Sequence, residues 1–193
     1  MLKVPNKWFF FNPGKEFDKE KLSKVSNTTG IVFFKNNLDT NDKFFIKIKP
    51  YIDFCKKKRI KFLLPFSLYW ANKYKAFGIF VNTSNDSLNF LINYKVIKKK
   101  FFIAAKVHNL PEAIKLLKFD IIFISPVFKT FSFPNKKPMK RFIFLSLCLF
   151  FKNKKIFALG GVNNQNYSKL KNKYLDGFGG ITNFINKENF NDL

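Results

Sequence analysis

Two stretches decide the fold of this chain: ALGGVN, residues 158–163, and GFGGIT, residues 177–182. Each combines an apolar run with two adjacent glycines, Gly160 and Gly161 in the first and Gly179 and Gly180 in the second. Glycine has no Cβ, so backbone N–H groups at such a pair can approach an anion closely. A single pair is typical of a tight turn. Two pairs, each beside a predicted strand, favour a phosphate-binding floor.

Outward from these stretches, short apolar runs alternate with helical patterns along the chain. The runs are apolar throughout, as expected of parallel strands covered on both faces. We predict strands at residues 8–11, 30–34, 62–64, 79–81, 101–105, 121–124, 156–159 and 177–181. Helices are predicted at residues 15–25, 42–57, 68–74, 88–97, 109–117 and 166–175, with a buried helix at 142–151. The helix at 109 has the clearest start, with Asn109 as N-cap, Pro111 in the first turn and Glu112 three residues after the cap.

This order predicts an α/β fold, a compact (β/α)₈ TIM barrel that forms a single domain over residues 1–193. Phosphates often dock on the loops after strands seven and eight of such barrels, which is where the glycine pairs are predicted to lie. A doubly wound open sheet is the alternative. That fold usually carries its glycine-rich turn after the first strand, whereas this chain has Asn12, Pro13 and Gly14 there and no GxGxxG motif.

The chain is strongly basic, with a formal net charge of +24 over 193 residues. Such a surplus lowers the cost of approaching phosphates and suggests a polyanion as partner. The basic residues, however, are scattered in twos and threes at predicted helix ends, and a basic patch must cluster on one face to indicate binding. We therefore expect nucleic acid to be disfavoured as a partner.

Other features indicate a soluble, cytoplasmic protein. Residues 1–11 lack a signal-peptide pattern, and the longest apolar run, 142–151, is half the roughly 20 residues that a membrane span needs. No membrane partner is expected. Cys55 and Cys148 lie in helical patterns outside any CxxC motif, which indicates free buried thiols. The oligomeric state stays open, with a homo-oligomer as one alternative.

The stretch from residue 103 to residue 184 resembles the superfamily of thiamine-phosphate synthase and the TenI-like thiazole tautomerase. Motifs in matching order and spacing carry the resemblance: Val107-His108, Glu112-Ala113, Asp120-Ile121-Ile122, SPVFKT at 125–130, ALGGV at 158–162 and LDGFGGIT at 175–182. The N-terminal half shares only the strand–helix rhythm. Pro126 stands where the tautomerase carries a catalytic histidine, which disfavours that enzyme.

The resemblance implies a transferase of thiamine biosynthesis that joins a hydroxymethylpyrimidine pyrophosphate to a thiazole phosphate and releases pyrophosphate. Its substrates would be small phosphorylated heterocycles, and Mg²⁺ would assist the leaving group. The thiazole phosphate would be held by Gly160, Gly161, Gly179, Gly180, Ile181 and Thr182, and the pyrophosphate by Lys35, Thr130, Ser132 and Lys136. Lys106 and His108 are candidates for catalysis.

The chain departs from the family pattern on the metal side of the site. Where the family places Asn-Asp after strand three, the Asp being a Mg²⁺ ligand, this chain has Pro65 and Phe66, which offer no ligand for a hard cation. The second metal carboxylate aligns with Asn85, leaving Asp86 as the candidate ligand. Two functions stay open: a synthase whose lysines partly replace Mg²⁺, and a non-catalytic or re-purposed paralogue that binds a phosphorylated heterocycle.

Overall fold

A computed structural model describes residues 3–13, 22–23, 25–34, 42–82, 87–130, 134–170 and 172–181, with the backbone alone for residues 87–93. Within these ranges the strands are β1 (Lys7–Phe11), β2 (Thr29–Phe33), β3 (Phe62–Pro65), β4 (Gly78–Val81), β5 (Phe102–Val107), β6 (Ile121–Ile124), β7 (Lys155–Leu159) and β8 (Leu175–Gly180). Each strand pairs in parallel with the next, and β8 pairs with β1, so the sheet closes into a barrel. The predicted (β/α)₈ barrel is confirmed.

Helices occupy most of the connections. They are α1 (Asp42–Lys47), α2 (Lys49–Lys57), α3 (Leu68–Tyr74), α4 (Ser87–Lys100), α5 (Leu110–Lys115) and α6 (Arg141–Phe150), followed by a short 3₁₀ helix, Tyr167–Leu170. Asn109 caps α5 as predicted, because its Oδ1 accepts a hydrogen bond of 2.9 Å from the N–H of Glu112. The predicted helix 15–25 lies largely outside the described residues.

Three predicted helices differ from the structure. The segment 42–57 is two helices, since Pro50 has no N–H and is tolerated only in the first turn of α2. The segment 166–175 holds only the short 3₁₀ helix, because Asn163, Asn166 and Asn172 bond to nearby backbone groups and compete with a longer helix.

The helix predicted to be buried, α6, is instead a surface helix. It buries Phe144, Leu147 and Cys148, whereas 76% of Phe142 is exposed. None of the described helices is long and apolar enough to span a membrane. Cys148 and Cys55 are buried free thiols as predicted, and burial raises the pKa of each to about 12.

Aromatic side chains fill the inside of the barrel, where branched aliphatic residues usually dominate. The interior cluster includes Trp8, Phe10, Phe80, Phe123 and Phe157. Large rings require small neighbours, and glycine supplies them. A Cβ at Gly30 would lie 2.4 Å from the Trp8 ring, and a Cβ at Gly179 would lie 3.0 Å from the Phe10 ring.

A second apolar layer lies between the barrel and its helices and is formed by the alternate strand residues, such as Phe9, Ile31 and Ile122. Both faces of each strand are therefore buried, which explains why the strands read as continuous apolar runs.

Candidate functional site

The carboxyl ends of the strands surround a cavity of about 760 Å³, including the part open to solvent. Its floor is apolar and its wall carries glycines, hydroxyls and cations. The described lining residues are Phe10, Phe34, Phe80, Lys106, His108, Ser125, Pro126, Thr130, Lys136, Leu159, Gly160, Gly161, Val162, Gly180 and Ile181. In a barrel of this type, this end of the strands is where substrates bind.

The first glycine pair follows β7 and forms one side of the cavity. Gly160 has φ of 87° and Gly161 has φ of 66°, a left-handed conformation that residues with a Cβ rarely adopt. Neighbouring backbone also occupies the space of a side chain: a Cβ at Gly161 would lie 2.3 Å from the Lys129 carbonyl oxygen. These positions therefore need glycine for two independent reasons.

Hydrogen bonds through carbonyl groups hold this loop in place. The carbonyl of Gly160 accepts from the N–H of Phe128 at 2.9 Å, and the carbonyl of Gly161 accepts from Asn166 Nδ2 at 2.8 Å. Among the described residues, the N–H groups of Gly160, Gly161 and Val162 have no acceptor. Fixed carbonyls and unsatisfied N–H groups beside a cavity suit an anion such as a phosphate.

The second glycine pair is placed differently from the sequence prediction. Gly179 and Gly180 lie inside β8, in register with Trp8 and Phe9 of β1, and neither has a positive φ. The Cα of Gly179 faces the ring of Phe10, so this glycine makes room for the apolar interior. Gly180 and the following residue Ile181 line the cavity. The N–H of Ile181 has no acceptor within the described part of the chain.

Lys106 and His108, the two candidates for catalysis, lie on the side of the cavity formed by β5. Lys106 is in β5 itself, because the strand runs two residues beyond its predicted end. Burial, together with the nearby charge of Lys136, lowers the pKa of Lys106, while Glu112 opposes this shift. A buried ammonium near a second cation is stabilised when an anion enters the cavity.

Glu112 is the carboxylate partner of His108, which sequence reasoning did not identify. Its Oε2 accepts from the backbone N–H of His108 at 2.9 Å and lies 3.0 Å from His108 Nδ1. The capping pattern that begins α5 could have revealed it, because a glutamate at this position reaches back over the residues before the helix. With Nδ1 protonated toward Glu112, His108 would present Nε2 as an acceptor.

The pyrophosphate side of the predicted site is partly described. Thr130 and Lys136 line the cavity beside Lys106. Lys35, Ser132, Thr182 and Asp86 lie outside the described residues.

Sequence reasoning did not identify Ser125 as a lining residue or Phe10, Phe34 and Phe80 as the apolar floor. Their positions at or next to the ends of predicted strands were a signal for them, because those ends form the site.

The described part of the cavity wall does not fit a magnesium ion. Magnesium prefers carboxylate and other oxygen ligands, whereas the charged groups lining the described wall are lysines. No group of three His, Cys, Asp or Glu residues among the described residues could hold a metal. Pro65 ends β3 where the resemblance implied a carboxylate, and Phe66 follows it.

Comparisons with known proteins agree with this fold and site. A family model described as thiamine monophosphate synthase matches residues 20–184. The chain is 28% identical over 180 residues to a thiamine-phosphate synthase of Fusobacterium nucleatum, covering 91% of this chain and 84% of that protein. It is 30% identical over 155 residues to the thiamine-phosphate synthase of Prochlorococcus marinus, covering 79% of this chain and 43% of that protein.

Among solved structures, thiamine phosphate pyrophosphorylase from Pyrococcus furiosus superposes with a TM-score of 0.72 at 16% identity, covering 92% of this chain and 86% of that one. At this identity the likeness shows the fold alone. Fold and cavity together define a (β/α)₈ barrel with an anion-binding pocket at the carboxyl ends of its strands. Since the family model spans most of the sequence, the chain belongs to the thiamine monophosphate synthase family.

Proposed function

We propose that the chain is a divergent thiamine-phosphate synthase, which joins a hydroxymethylpyrimidine pyrophosphate to a thiazole phosphate and releases pyrophosphate. One observation carries this proposal. Unsatisfied N–H groups of Gly160, Gly161 and Val162 face the cations Lys106 and Lys136 across one cavity. A site with two kinds of anion-binding group fits a reaction between two phosphorylated substrates.

The thiazole phosphate would bind the backbone N–H groups of the loop after β7 and of Ile181 after β8. Backbone donors in fixed positions bind a phosphate without reorganising, so they orient the thiazole ring above the apolar floor. Phe10 and Phe80 form that floor and exclude water from beneath the ring.

The pyrophosphate would bind on the opposite side, near Lys106, Lys136 and Thr130. In the reaction, the bond between the pyrimidine methylene carbon and the pyrophosphate oxygen breaks, and its electron pair leaves with pyrophosphate. The lone pair of the thiazole nitrogen then forms the new C–N bond. Negative charge increases on the leaving oxygen, so preorganised lysine cations lower the barrier and no general base is required.

The alternative is a re-purposed paralogue that binds a phosphorylated heterocycle without turnover. The absence of carboxylates from the described lining, with Pro65 and Phe66 at the end of β3, favours this alternative. The protein would then retain its phosphate floor and lack the means of expelling pyrophosphate.

Product assays and calorimetry separate the two functions. The purified chain is incubated with both substrates, with added Mg²⁺ and with a chelator, and thiamine phosphate is measured. Product under either condition supports the synthase. Calorimetric binding of thiazole phosphate without product at any metal concentration would overturn the synthase in favour of the paralogue.

A further inference from the structure

The parallel barrel gathers the basic residues of the sequence on one face. Each helix runs back along the outside of the barrel, so every connection from a helix to the next strand lies where the strands begin, opposite the cavity. The sequence places its basic twos and threes at those helix ends. The clustering that a polyanion partner requires is therefore a product of the topology.

We define the basal face by the exposed cations of these connections and of the chain before β1. They are Lys3, Lys56, Lys57, Lys58, Arg59, Lys73, Lys75, Lys98, Lys99, Lys100, Lys115, Lys118, Lys152, Lys155 and Lys173. Almost all are lysines, whose point charge binds phosphate without reading base edges.

The acidic residues of the described connections do not neutralise this face. Asp120 pairs with Lys98 and accepts from the N–H of Ile103 at 2.9 Å. Asp176 pairs with Lys155 at 2.6 Å and accepts from the N–H of Ile156 at 2.9 Å. Both carboxylates thus fix the starts of strands and balance one lysine each, which leaves the other cations of the basal face without a described carboxylate.

Half-buried aromatic rings lie among these cations. The rings of Phe77 and Phe102 stack at the start of β4 and β5, with centroids 4.6 Å apart. Lys61 Nζ lies 5.0 Å from the centroid of Phe77, and Lys118 Nζ lies 5.4 Å from that of Tyr94. Cations combined with aromatic platforms are typical of surfaces that bind single-stranded nucleic acid.

Helix-dipole stabilisation and membrane binding each account for less of this pattern. Lysines in the last turn of a helix favour the helix dipole, but Lys75, Lys152 and Lys155 lie beyond the helix ends. A membrane surface would require exposed apolar groups to insert. Leu117 is the one exposed large apolar residue in the described connections, and 51% of it is exposed.

We propose that the basal face binds single-stranded nucleic acid, through lysine contacts to phosphates and stacking of bases near Phe77 and Phe102. This binding is independent of the cavity at the other end of the barrel. Thiazole phosphate does not compete for it, so the proposal stands or falls separately from the proposed synthase reaction.

The test is the anisotropy of a labelled oligothymidylate titrated with the full chain at several salt concentrations. The basal variant carries Lys57→Gln, Lys99→Gln and Lys152→Gln. Each lost phosphate contact removes about 0.7 from the slope of log affinity against log salt for a single strand. We expect the slope to fall by about 2, with at least a tenfold loss of affinity near 50 mM salt.

A matched control removes the same charge from the opposite face, with Lys43→Gln, Lys137→Gln and Lys140→Gln, and should change affinity less than about twofold. The change Phe77→Leu should weaken binding several-fold and leave the salt slope unchanged. Equal losses in both triple variants would overturn the proposal, because net charge alone would then explain binding. The proposal is equally overturned by undetectable binding at low salt. It also fails if the basal variant loses binding only to phosphatidylserine vesicles.

Discussion

The two glycine pairs share a sequence pattern and differ in the physics that requires them. Gly160 and Gly161 lie in a loop with positive φ, and their carbonyls are held so that N–H groups face the cavity. Gly179 and Gly180 lie in a strand with ordinary backbone angles, where Gly179 accommodates the Phe10 ring. A pair of glycines thus indicates either an anion-binding loop or a close-packed strand. The backbone angle distinguishes these two roles.

The largest expected effect comes from giving each pair a Cβ. Gly161→Ala forces a strained φ and a contact of 2.3 Å with the Lys129 carbonyl. A left-handed alanine costs on the order of 2 kcal/mol, so we expect at least about a 30-fold loss of thiazole phosphate affinity by calorimetry. Gly179→Ala is the matched control, because its nearest contact, 3.0 Å, is to a side chain. It should change affinity only a few-fold. Equal losses, with both variants folded by circular dichroism, would remove the distinction between the pairs.

The next effect tests the side of the cavity opposite the first pair. Lys106→Met removes a cation proposed to stabilise the leaving pyrophosphate. We expect about a 100-fold fall in the rate of thiamine phosphate formation, in the range seen for lost transition-state donors. Thiazole phosphate affinity should change less than about twofold, because the loop after β7 is untouched. Lys137→Met, on an exposed residue outside the cavity, is the control. Parallel losses of rate and of thiazole phosphate affinity would show that the two sides of the site are not separate.

A pH experiment sharpens the contrast between fixed N–H groups and an ionisable side chain. Burial lowers the pKa of Lys106 below its ordinary value of 10.5. As pH rises, Lys106 therefore loses its proton before exposed lysines do, and inhibition by pyrophosphate should weaken in the alkaline range below pH 10.5. Between the folded and unfolded pKa values the unfolded state binds more protons, so this group makes the unfolding free energy rise with pH.

Arginine provides the check on this pH dependence. Lys106→Arg keeps a charge that is not lost below about pH 12, so the alkaline fall in pyrophosphate inhibition should shift to higher pH. Thiazole phosphate binding should show no matching shift, because amide N–H groups do not titrate in this range. An unchanged alkaline limb in Lys106→Arg would show that another group controls it.

The smallest effect concerns the positioning of His108. Glu112→Gln replaces a carboxylate that contacts both the N–H and Nδ1 of His108 with a neutral amide. Loss of one charge-assisted hydrogen bond predicts about a three- to tenfold fall in rate, if His108 contacts substrate. The ¹⁵N shifts of the imidazole should show a smaller fraction protonated at Nδ1. Asn109→Ala removes only the helix cap, so it should lower the melting temperature and leave the tautomer unchanged.

Sequence reasoning reached the barrel and one side of the site because both rest on local patterns. The apolar runs reflect strands buried on both faces, and the loop after β7 needs glycine for backbone reasons visible in two letters. The position of Gly179 against Phe10 depends on pairing between β8 and β1, the first and last strands, which no local pattern contains. The Glu112–His108 contact depends on a side-chain direction, and the basal face depends on which end of the barrel the helix ends reach.

Trp8 offers an optical consequence of the aromatic interior. Its ring is fully buried and its indole N–H has no hydrogen-bond partner among the described residues. The other tryptophan, Trp70, donates to Asp42 at 2.7 Å and has Lys73 Nζ 4.5 Å from its ring centroid. Fluorescence from Trp8 should therefore be blue-shifted relative to that of Trp70. Emission from Trp8 reports on the integrity of the barrel interior, and a Trp70→Phe variant would isolate that signal.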